Sequence, residues 1–320
     1  MDKVLRIGTR ESTLAVWQAR QVENLLKENK QETELVYIKS EGDINLATPL
    51  YETGVLGIFT KALDTALLNN EIDLAVHSYK DVPTALAKGL TVAAVLERGN
   101  PYDVLVCTSE SKLNEIIDSQ TSFTTHHSAS ANYHSLFTIA TSSIRRKAQW
   151  LYRYKNSQIE NIRGNVNTRL QKLHSSNWHG AIFAGAGLER LNLTKKETGP
   201  QLQLNWMLPA PAQGAIVIIC RQDDEKVKSL CKLLNHTPTN ICTQIERDFM
   251  RLLQGGCSTP ISALATISEE EIQLTGNITA SNGSESKTVE LKAIVAGWQT
   301  LAKRAADEMI VKGGKMLLTK

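Results

Sequence analysis

Short apolar runs alternate with segments of helical periodicity through the first two thirds of the chain, and this alternation constrains the fold more than any other feature. In the first third, apolar runs at 4–8, 35–39 and 72–77 are separated by two helical patterns, one that Ser12 can cap and one at 59–67. Strands joined by helices in this way are typical of a mainly parallel α/β sheet. We therefore predict an α/β unit here.

The middle third repeats the pattern. Its apolar runs lie at 136–140, 159–162 and 181–184. Ser142 or Ser143 can cap one helix, and a second helical pattern covers 166–173. We interpret the intervening polar stretch at 109–135, rich in Ser, Thr, Asn and His, as a mobile surface insertion. Its histidines have no Cys or carboxylate spacing that would indicate a metal site.

The last third has a different order of elements. Two helical patterns at 224–234 and 241–253 follow an apolar run at 216–220. Three strand-like runs come next, at 261–267, 272–280 and 288–293, before a final helical pattern at 297–311. Successive strands beside flanking helices indicate a separate α+β domain.

Composition excludes several classes of protein. Hydrophobic residues make up 42% of the chain and charged residues 22%, which is typical of a globular protein rather than a disordered or fibrous one. Five cysteines without a CxxC pair indicate neither a zinc site nor a disulfide framework. The longest apolar run is far shorter than the roughly 18 residues that a membrane span requires. We expect a soluble protein of the cytoplasm.

Charged side chains follow the predicted strands at their carboxyl ends, where ligands bind in open α/β sheets. They are Arg10, Lys80, Asp81, Arg145, Arg146 and Arg163. Each alone is more often a solvated loop charge, but jointly they indicate a site. Between Thr141 and Arg190, six Arg and three Lys stand against two Glu, a net charge of +7 in a chain of net charge +3.

The start of the predicted helix after Ser143 combines hydroxyls, free backbone N–H groups and the cations Arg145 and Arg146. Cations are unfavourable at a helix N-terminus, because the helix dipole is positive there. A bound carboxylate or phosphate would remove this conflict by accepting from the N–H groups and the guanidinium groups together.

Cys257 is a candidate nucleophile. It follows Gly255 and Gly256, which permit an unusual backbone path, and Pro260 constrains the exit of the loop. A lone cysteine is more often inert core, but as a thiolate near arginines it would be a capable nucleophile.

Six blocks of the sequence together resemble the signature motifs of the porphobilinogen deaminase family, in the family's order. They are IGTRESTLA at 7–15, HSYKDVP at 77–83, TSSIRR at 141–146, RGNVNTRL at 163–170, AGLERL at 186–191 and GGCSTP at 255–260. The resemblance extends from about Leu5 to the end of the chain.

The resemblance implies a transferase of tetrapyrrole (haem) biosynthesis that condenses four porphobilinogen molecules head to tail, with loss of four ammonia, and releases hydroxymethylbilane by hydrolysis. It further implies a dipyrromethane cofactor, assembled from two porphobilinogen units and held on Cys257 as a thioether, and no metal. With four rings added, the bound chain would carry twelve carboxylates, which explains a demand for guanidinium groups.

The family's residue roles carry over to matching positions. Asp81, with Lys80, corresponds to the catalytic residues, and Asp81 would stabilise the azafulvenium cation left when ammonia departs. Cofactor binding is implied for Cys257, Lys80, Asp81, Thr141, Ser143, Arg145, Arg146 and Arg169. Substrate binding is implied for Arg10, Ser12, Arg163, Arg169 and Arg190. Arg153, Lys155 and Lys172 are left as surface charge.

The implied fold is α/β, with two α/β domains like type II periplasmic binding proteins around a cleft and a smaller C-terminal α+β domain. We expect the first domain at 1–103 plus 212–222, the second at 104–211 and the third at 223–320. The segment 41–57 corresponds to a loop that acts as a lid over the family's cleft. The resemblance also implies a monomer without nucleic-acid or membrane partners.

Two other functions remain open from the residues alone. A two-lobed anion-binding or sensor module would explain the charges of the cleft but would give Cys257 no role. Nucleic-acid binding is suggested by the basic segment, yet its cations follow several separate elements, which favours a pocket over a track along a phosphate backbone.

Overall fold

The computed structural model describes residues 4–39, 60–125, 136–256 and 259–319, with side chains up to Ser119 in the second of these ranges. The predicted lid, the histidines at 126, 127 and 134, and Cys257 lie outside the described residues. Three sheets organise what is described, of five, five and three strands. The predicted fold class, two α/β lobes and a smaller C-terminal α+β domain, is confirmed.

The first lobe is built on a five-stranded sheet of order β2-β1-β3-β10-β4. Its strands are β1 (Leu5–Thr9), β2 (Thr33–Tyr37), β3 (Leu74–Ser78), β4 (Leu90–Val95) and β10 (Ile216–Arg221). Helices α1 (Thr13–Glu28), α2 (Lys61–Leu68) and α8 (Glu225–Lys232) cover it. Ser12 caps α1 as predicted, because its hydroxyl accepts from Ala15 N.

The second lobe repeats this plan with the order β7-β6-β8-β5-β9. Its strands are β5 (Asp103–Cys107), β6 (Thr138–Ala140), β7 (Gln158–Glu160), β8 (Gly180–Ala184) and β9 (Gln201–Gln203). Its helices are α3 (Glu110–Thr125), α4 (Ile144–Arg153), α5 (Val166–His174), α6 (Gly185–Arg190) and α7 (Lys195–Thr198).

The prediction of mainly parallel sheets is wrong in part. Each lobe has three neighbouring parallel strands, but β10 runs antiparallel to β3 and β4, and β5 runs antiparallel to β8 and β9. β5 and β10 are the strands that the chain enters as it passes from one lobe to the other, so neither follows a helical crossover within its own sheet.

The interpretation of 109–135 as a mobile surface insertion is also wrong for its first part. Residues Glu110–Thr125 form helix α3, and Leu113 and Ile116 are buried against Leu105 and Trp150 in the core of the second lobe. Polar composition concealed the helix because only a narrow stripe of it is apolar. Residues 126–135 lie outside the described part of the chain.

The third domain packs two helices on one face of an antiparallel sheet. Strands β11 (Ile261–Ser268), β12 (Glu271–Thr279) and β13 (Ser286–Ile294) pair in sequence order. Helices α9 (Thr237–Leu252) and α10 (Leu301–Val311) bury Ile245, Phe249, Ala305 and Met309 against the sheet.

Two segments join the lobes, the first crossing at 96–102 between β4 and β5 and the second crossing at 204–215 between β9 and β10, and they pair with each other. Leu96 N donates to Ile216 O, and Gly99 N donates to Gly214 O. Gly214 has φ +87°, and a Cβ there would lie 2.7 Å from Gly99 O, so only glycine allows this approach. The crossing is therefore a narrow, tightly packed hinge between the lobes.

Candidate active site

Lys80 and Asp81 lie on a single turn of 3₁₀ helix, Tyr79–Asp81, at the carboxyl end of β3. The turn is held from the third domain by Arg247, which donates to the carbonyls of Tyr79, Val82 and Pro83 at 3.2, 2.9 and 2.6 Å. The Arg247 guanidinium carbon also lies 4.2 Å from the centre of the Tyr79 ring. Arg247 is buried, so these contacts fix the backbone that presents Lys80 and Asp81.

The Lys80 ammonium faces the second lobe. Its Nζ donates to Gln213 Oε1 at 3.3 Å, while Gln213 Nε2 donates to Pro101 O at 2.7 Å and Asp103 Oδ1 at 2.9 Å. Because both contacts of Nε2 are to acceptors, the amide is oriented with Oε1 toward Lys80. Burial lowers the pKa of Lys80 to about 8, although Asp81 acts to raise it.

Arg145 and Arg146 lie in the first turn of α4 and both contact Asp103, which is fully buried. Arg145 Nη2 is 2.7 Å from Asp103 Oδ2, and Arg146 Nη2 is 2.7 Å from Oδ1. Burial alone would raise the pKa of Asp103, but the two arginines hold it well below its usual range. The buried carboxylate of Asp103 therefore offsets the unfavourable placement of two cations at this helix start, without the need for a bound ligand.

The hydroxyls of this helix start have defined contacts. Ser143 is the N-cap of α4 and accepts from Arg146 N at 3.5 Å. Thr141 is 2% exposed, and its Oγ1 accepts from Ser143 N at 3.2 Å. Each hydroxyl keeps its own proton for a further acceptor in these contacts.

Arg163 lies in the loop between β7 and α5, and Arg169 lies near the start of α5. Among the described residues, Nη1 of Arg163 is buried without a hydrogen-bond partner. Arg169 Nε donates to Gly164 O at 2.7 Å. Burial and the nearby Arg146 lower the pKa of Arg169 to about 10, and Asp81 acts to raise it. Asp81 of the first lobe and Arg169 of the second therefore lie within electrostatic reach of each other.

Arg10, at the end of β1, and His77, on β3, are neighbours at the same sheet edge. Burial first, and Arg10 second, lower the pKa of His77 to about 3, so the imidazole is neutral near pH 7. Arg190, at the end of α6, donates to Gly214 O at 2.6 Å and lies 5.7 Å from the centre of the Trp17 ring on α1. Arg190 thus spans the two lobes at the hinge.

Four cysteines are described, and all four are buried. Burial raises the pKa of Cys220 to about 11 and that of Cys107, Cys231 and Cys242 to about 12. Thiols of this kind are poor nucleophiles at neutral pH.

The cysteine loop is described at its flanks only. Cys257 lies outside the described residues, and the flanking Gly256 and Thr259 are joined by a hydrogen bond from Thr259 Oγ1 to Gly256 O at 2.7 Å. The attachment role of Cys257 therefore stays a prediction.

The structure brings together most of the predicted site and adds three residues that the sequence did not predict. Asp103 contacts Arg145 and Arg146, and Gln213 contacts Lys80. Arg247 contacts the residues on either side of Lys80 and Asp81. Asp103 opens the buried strand β5, and a carboxylate at the start of an apolar run was the only available signal for it. Gln213 and Arg247 gave no signal in the sequence, since their roles depend on the packing of distant segments.

Two of the three cations predicted to be surface charge have other contacts. Lys172 Nζ donates to Arg163 O at 3.0 Å, and the Arg153 guanidinium carbon lies 4.8 Å from the centre of the Trp206 ring. Lys155 and Lys172 are exposed, which agrees with the prediction of surface charge, whereas Arg153 is half-buried and the prediction is wrong for it.

Within the described ranges, no three His, Cys, Asp or Glu side chains cluster in a way that could hold a metal ion. The same part of the chain has no helix that meets the length and apolarity of a membrane span.

Comparisons with known proteins agree with the sequence motifs. Residues 5–229 match a family described as porphobilinogen deaminase, dipyromethane cofactor binding domain, and residues 240–311 match porphobilinogen deaminase, C-terminal domain. A porphobilinogen deaminase of Desulforamulus reducens is 37% identical over 99% of this chain and 98% of its own length. One of Campylobacter hominis is 37% identical over 98% and 97%.

Among solved structures, a probable amino-acid ABC transporter extracellular-binding protein from Bacillus subtilis aligns with 73% of this chain and 90% of its own, at 10% identity and a TM-score of 0.42.

Proposed function

The chain belongs to the porphobilinogen deaminase family, whose members are enzymes of tetrapyrrole biosynthesis, and from this premise we propose what its site does. The enzyme condenses four porphobilinogen molecules head to tail, releases four ammonia and liberates hydroxymethylbilane by hydrolysis. This is the activity of a hydroxymethylbilane synthase.

The proposal rests chiefly on the approach of Asp81 in the first lobe to Arg169 in the second. Asp81 acts to raise the pKa of Arg169, whereas burial, Arg146 and Arg163 lower it, so the carboxylate lies near a group of guanidiniums. Porphobilinogen carries an acetate and a propionate beside an amine that must leave as ammonia. Guanidinium groups bind the carboxylates, and Asp81 is left to act on the positive charge.

The residues present fit a dipyrromethane. This group has four carboxylates, and the residues that would hold them are the buried cations Arg145 and Arg146, with Arg169 and the hydroxyls of Thr141 and Ser143. Thr141 and Ser143 accept from backbone N–H groups and keep their protons for such an acceptor. When bound, the dipyrromethane would supply the nucleophilic pyrrole carbon to which the first porphobilinogen is joined.

Each catalytic residue has a proposed task. Asp81 stabilises the cation that forms as ammonia leaves the substrate. Lys80 donates to Gln213, and its protonated ammonium binds a substrate carboxylate beside Asp81. Arg10, Ser12, Arg163, Arg169 and Arg190 bind the carboxylates of incoming and added rings.

Cys257 is proposed as the attachment site of the dipyrromethane. The support is the chemistry of the other four cysteines, which are buried and have pKa values raised to about 11 or 12. A thioether forms from a thiolate, and none of these four yields one readily at neutral pH.

The division into domains is also a proposal, with one change at its last boundary. The three sheets support a first domain of 1–103 with the returning strand β10, and a second at 104–211. Val227 and Cys231 of α8 pack in the core of the first lobe. We therefore place the start of the third domain after α8, near residue 236, rather than at 223.

We further propose that the protein is a cytoplasmic monomer that binds neither nucleic acid nor membranes. The cations of the basic segment support this, because Arg145, Arg146 and Arg163 are buried and directed inward. Sedimentation of the purified protein with and without DNA at physiological salt tests the monomer and the absence of binding together.

The experiment that tests the function is incubation of the purified holoenzyme with porphobilinogen. We expect four ammonia released for each hydroxymethylbilane formed. Tight binding of porphobilinogen without ammonia release would instead favour the anion-binding module.

A further inference from the structure

The two arginine-bearing segments of the second lobe are joined by a side chain where their strands separate. β6 and β7 pair in parallel up to Ala140 and Glu160, and Thr141 N donates to Glu160 O at 2.8 Å. Beyond this point α4 begins, so the backbone of the first segment turns away and cannot continue the ladder.

Ser142 takes the place of the missing backbone partner. Its Oγ accepts from Ile162 N at 3.0 Å and donates to Ile162 O at 3.0 Å. Because a hydroxyl has one proton, the donation to Ile162 O leaves none for a ligand. Ser142 therefore differs from its neighbours Thr141 and Ser143, which accept from backbone N–H groups and keep a proton for another acceptor.

The next two carbonyls of the same loop are also bound by side chains. Lys172 Nζ donates to Arg163 O at 3.0 Å, and Arg169 Nε donates to Gly164 O at 2.7 Å. Three consecutive carbonyls, from Ile162 to Gly164, thus have side-chain donors. Gly164 adopts φ +113°, where other residues are strained, so the loop has one well-defined shape.

These hydrogen bonds fix the backbone of the loop and leave the guanidinium of Arg163 available to bind a ligand. The Arg163 backbone is held on both sides, yet its buried Nη1 has no hydrogen-bond partner in the described part of the chain. Donors fixed in advance bind better and discriminate better than donors that must be ordered by the ligand.

We propose that Ser142, assisted by Lys172, is a positioning residue that holds the Arg163 guanidinium in place for a substrate carboxylate. The inference rests on the proposed function, since it assigns Arg163 to porphobilinogen carboxylates. This role predicts that Ser142 affects the binding of porphobilinogen rather than the chemical step. It also predicts that the effect depends on Arg163.

The test is a double-mutant cycle on the holoenzyme with porphobilinogen as substrate. Ser142→Ala removes both hydrogen bonds, which is expected to raise KM about tenfold and to change kcat less than about threefold. Ser142→Thr keeps a hydroxyl and is expected to restore most of the KM. Ser119→Ala, which removes a buried hydroxyl bound to Ile116 O in α3, is the matched control and leaves KM unchanged.

The second arm of the cycle isolates the route through Arg163. In an Arg163→Met background, Ser142→Ala should raise KM by less than about twofold, because the group it positions is already gone. Equal effects of Ser142→Ala in both backgrounds, or a fall in kcat at unchanged KM, would overturn the proposal. If Ser142→Ala does not fold, Lys172→Met with Lys172→Arg as its conservative partner takes its place in the same cycle.

The same data separate this inference from the proposed function. Absence of ammonia release by the wild-type chain overturns both. Normal turnover by the wild-type chain with independent effects of Ser142 and Arg163 overturns the positioning role alone.

Discussion

At the scale of single residues, the site depends on charges whose partners lie in another part of the chain. Lys80 and Asp81 are adjacent in sequence, but Lys80 donates to Gln213, and Asp81 lies near Arg169 of the second lobe. Asp103 is shared by Arg145 and Arg146 and by the Gln213 amide. A single substitution in this group therefore changes the environment of several others.

Asp81→Asn removes the carboxylate while keeping its shape. We expect kcat to fall by about 10²–10⁴-fold, because the cation formed on loss of ammonia would lose its stabilising charge. The thermal midpoint should change little, since Asp81 is only partly buried. Near-normal ammonia release by Asp81→Asn would refute the assignment.

Lys80 gives the site a dependence on alkaline pH. Burial lowers its pKa to about 8, so the ammonium is present below that pH and is lost above it. If Lys80 binds a carboxylate as a cation, porphobilinogen consumption should decline as the pH rises through about 8. Lys80→Arg, which stays charged, should move this decline to higher pH; an unchanged profile would mean that another group titrates there.

At the scale of the elements, the sequence predicted strands and helices well where apolar periodicity was strong. The runs at 4–8 and 72–77 correspond to β1 and β3 with shifts of one or two residues. Strand pairing was less predictable than the strands themselves. β4 and β5 are apolar runs that flank the first crossing, and their pairing with β10 and β8 depends on a return of the chain that no local pattern encodes.

Helix α3 offers a test of an element that composition concealed. Ile116 is fully buried in the second lobe, so Ile116→Ala should cost about 2–5 kcal/mol of the free energy of unfolding. Asn114→Ala, at an exposed position of the same helix, should change it by less than about 0.5 kcal/mol. Equal denaturation midpoints for the two variants would show that the segment does not contribute to the core.

The charged residues of the candidate site were predictable from the sequence, but the partners that hold them were not. Arg163, Arg169 and Asp81 were identified from the motifs, and the structure places them around one group of charges. The internal carboxylate of Asp103 was not predicted, because it lies 42 residues before Arg145 and meets it only through the sheet. Long-range partners of this kind follow from packing, which a single sequence does not reveal.

At the scale of the whole molecule, one buried ion pair joins the third domain to the hinge. Glu246 on α9 is fully buried and binds Arg98 in the first crossing at 2.6 Å. The same carboxylate accepts from Ala212 N at 2.6 Å in the second crossing and from Ala265 N at 2.8 Å on β11. The domain that carries Cys257 is thereby attached to both segments that connect the lobes.

Glu246→Gln should separate the third domain from the lobes. The substitution leaves Arg98 without a charged partner, a loss of about 3–5 kcal/mol for a buried pair. Thermal unfolding followed by calorimetry should change from one transition to two, with the third domain unfolding first. Arg251→Gln, which removes an exposed pair with Asp248 on the same helix, is the control and should retain a single transition.

In the proposed reaction porphobilinogen is added stepwise to a covalent primer on Cys257, and the decisive measurement is intact-protein mass after mixing with substoichiometric porphobilinogen. We predict a chain heavier than 35.3 kDa by one dipyrromethane, followed by a ladder of further pyrrole units. Cys242→Ala should show the same masses, and Cys257→Ala should show neither primer nor ladder. An active chain with unmodified mass, or a ladder that persists in Cys257→Ala, would refute stepwise addition to a primer on Cys257.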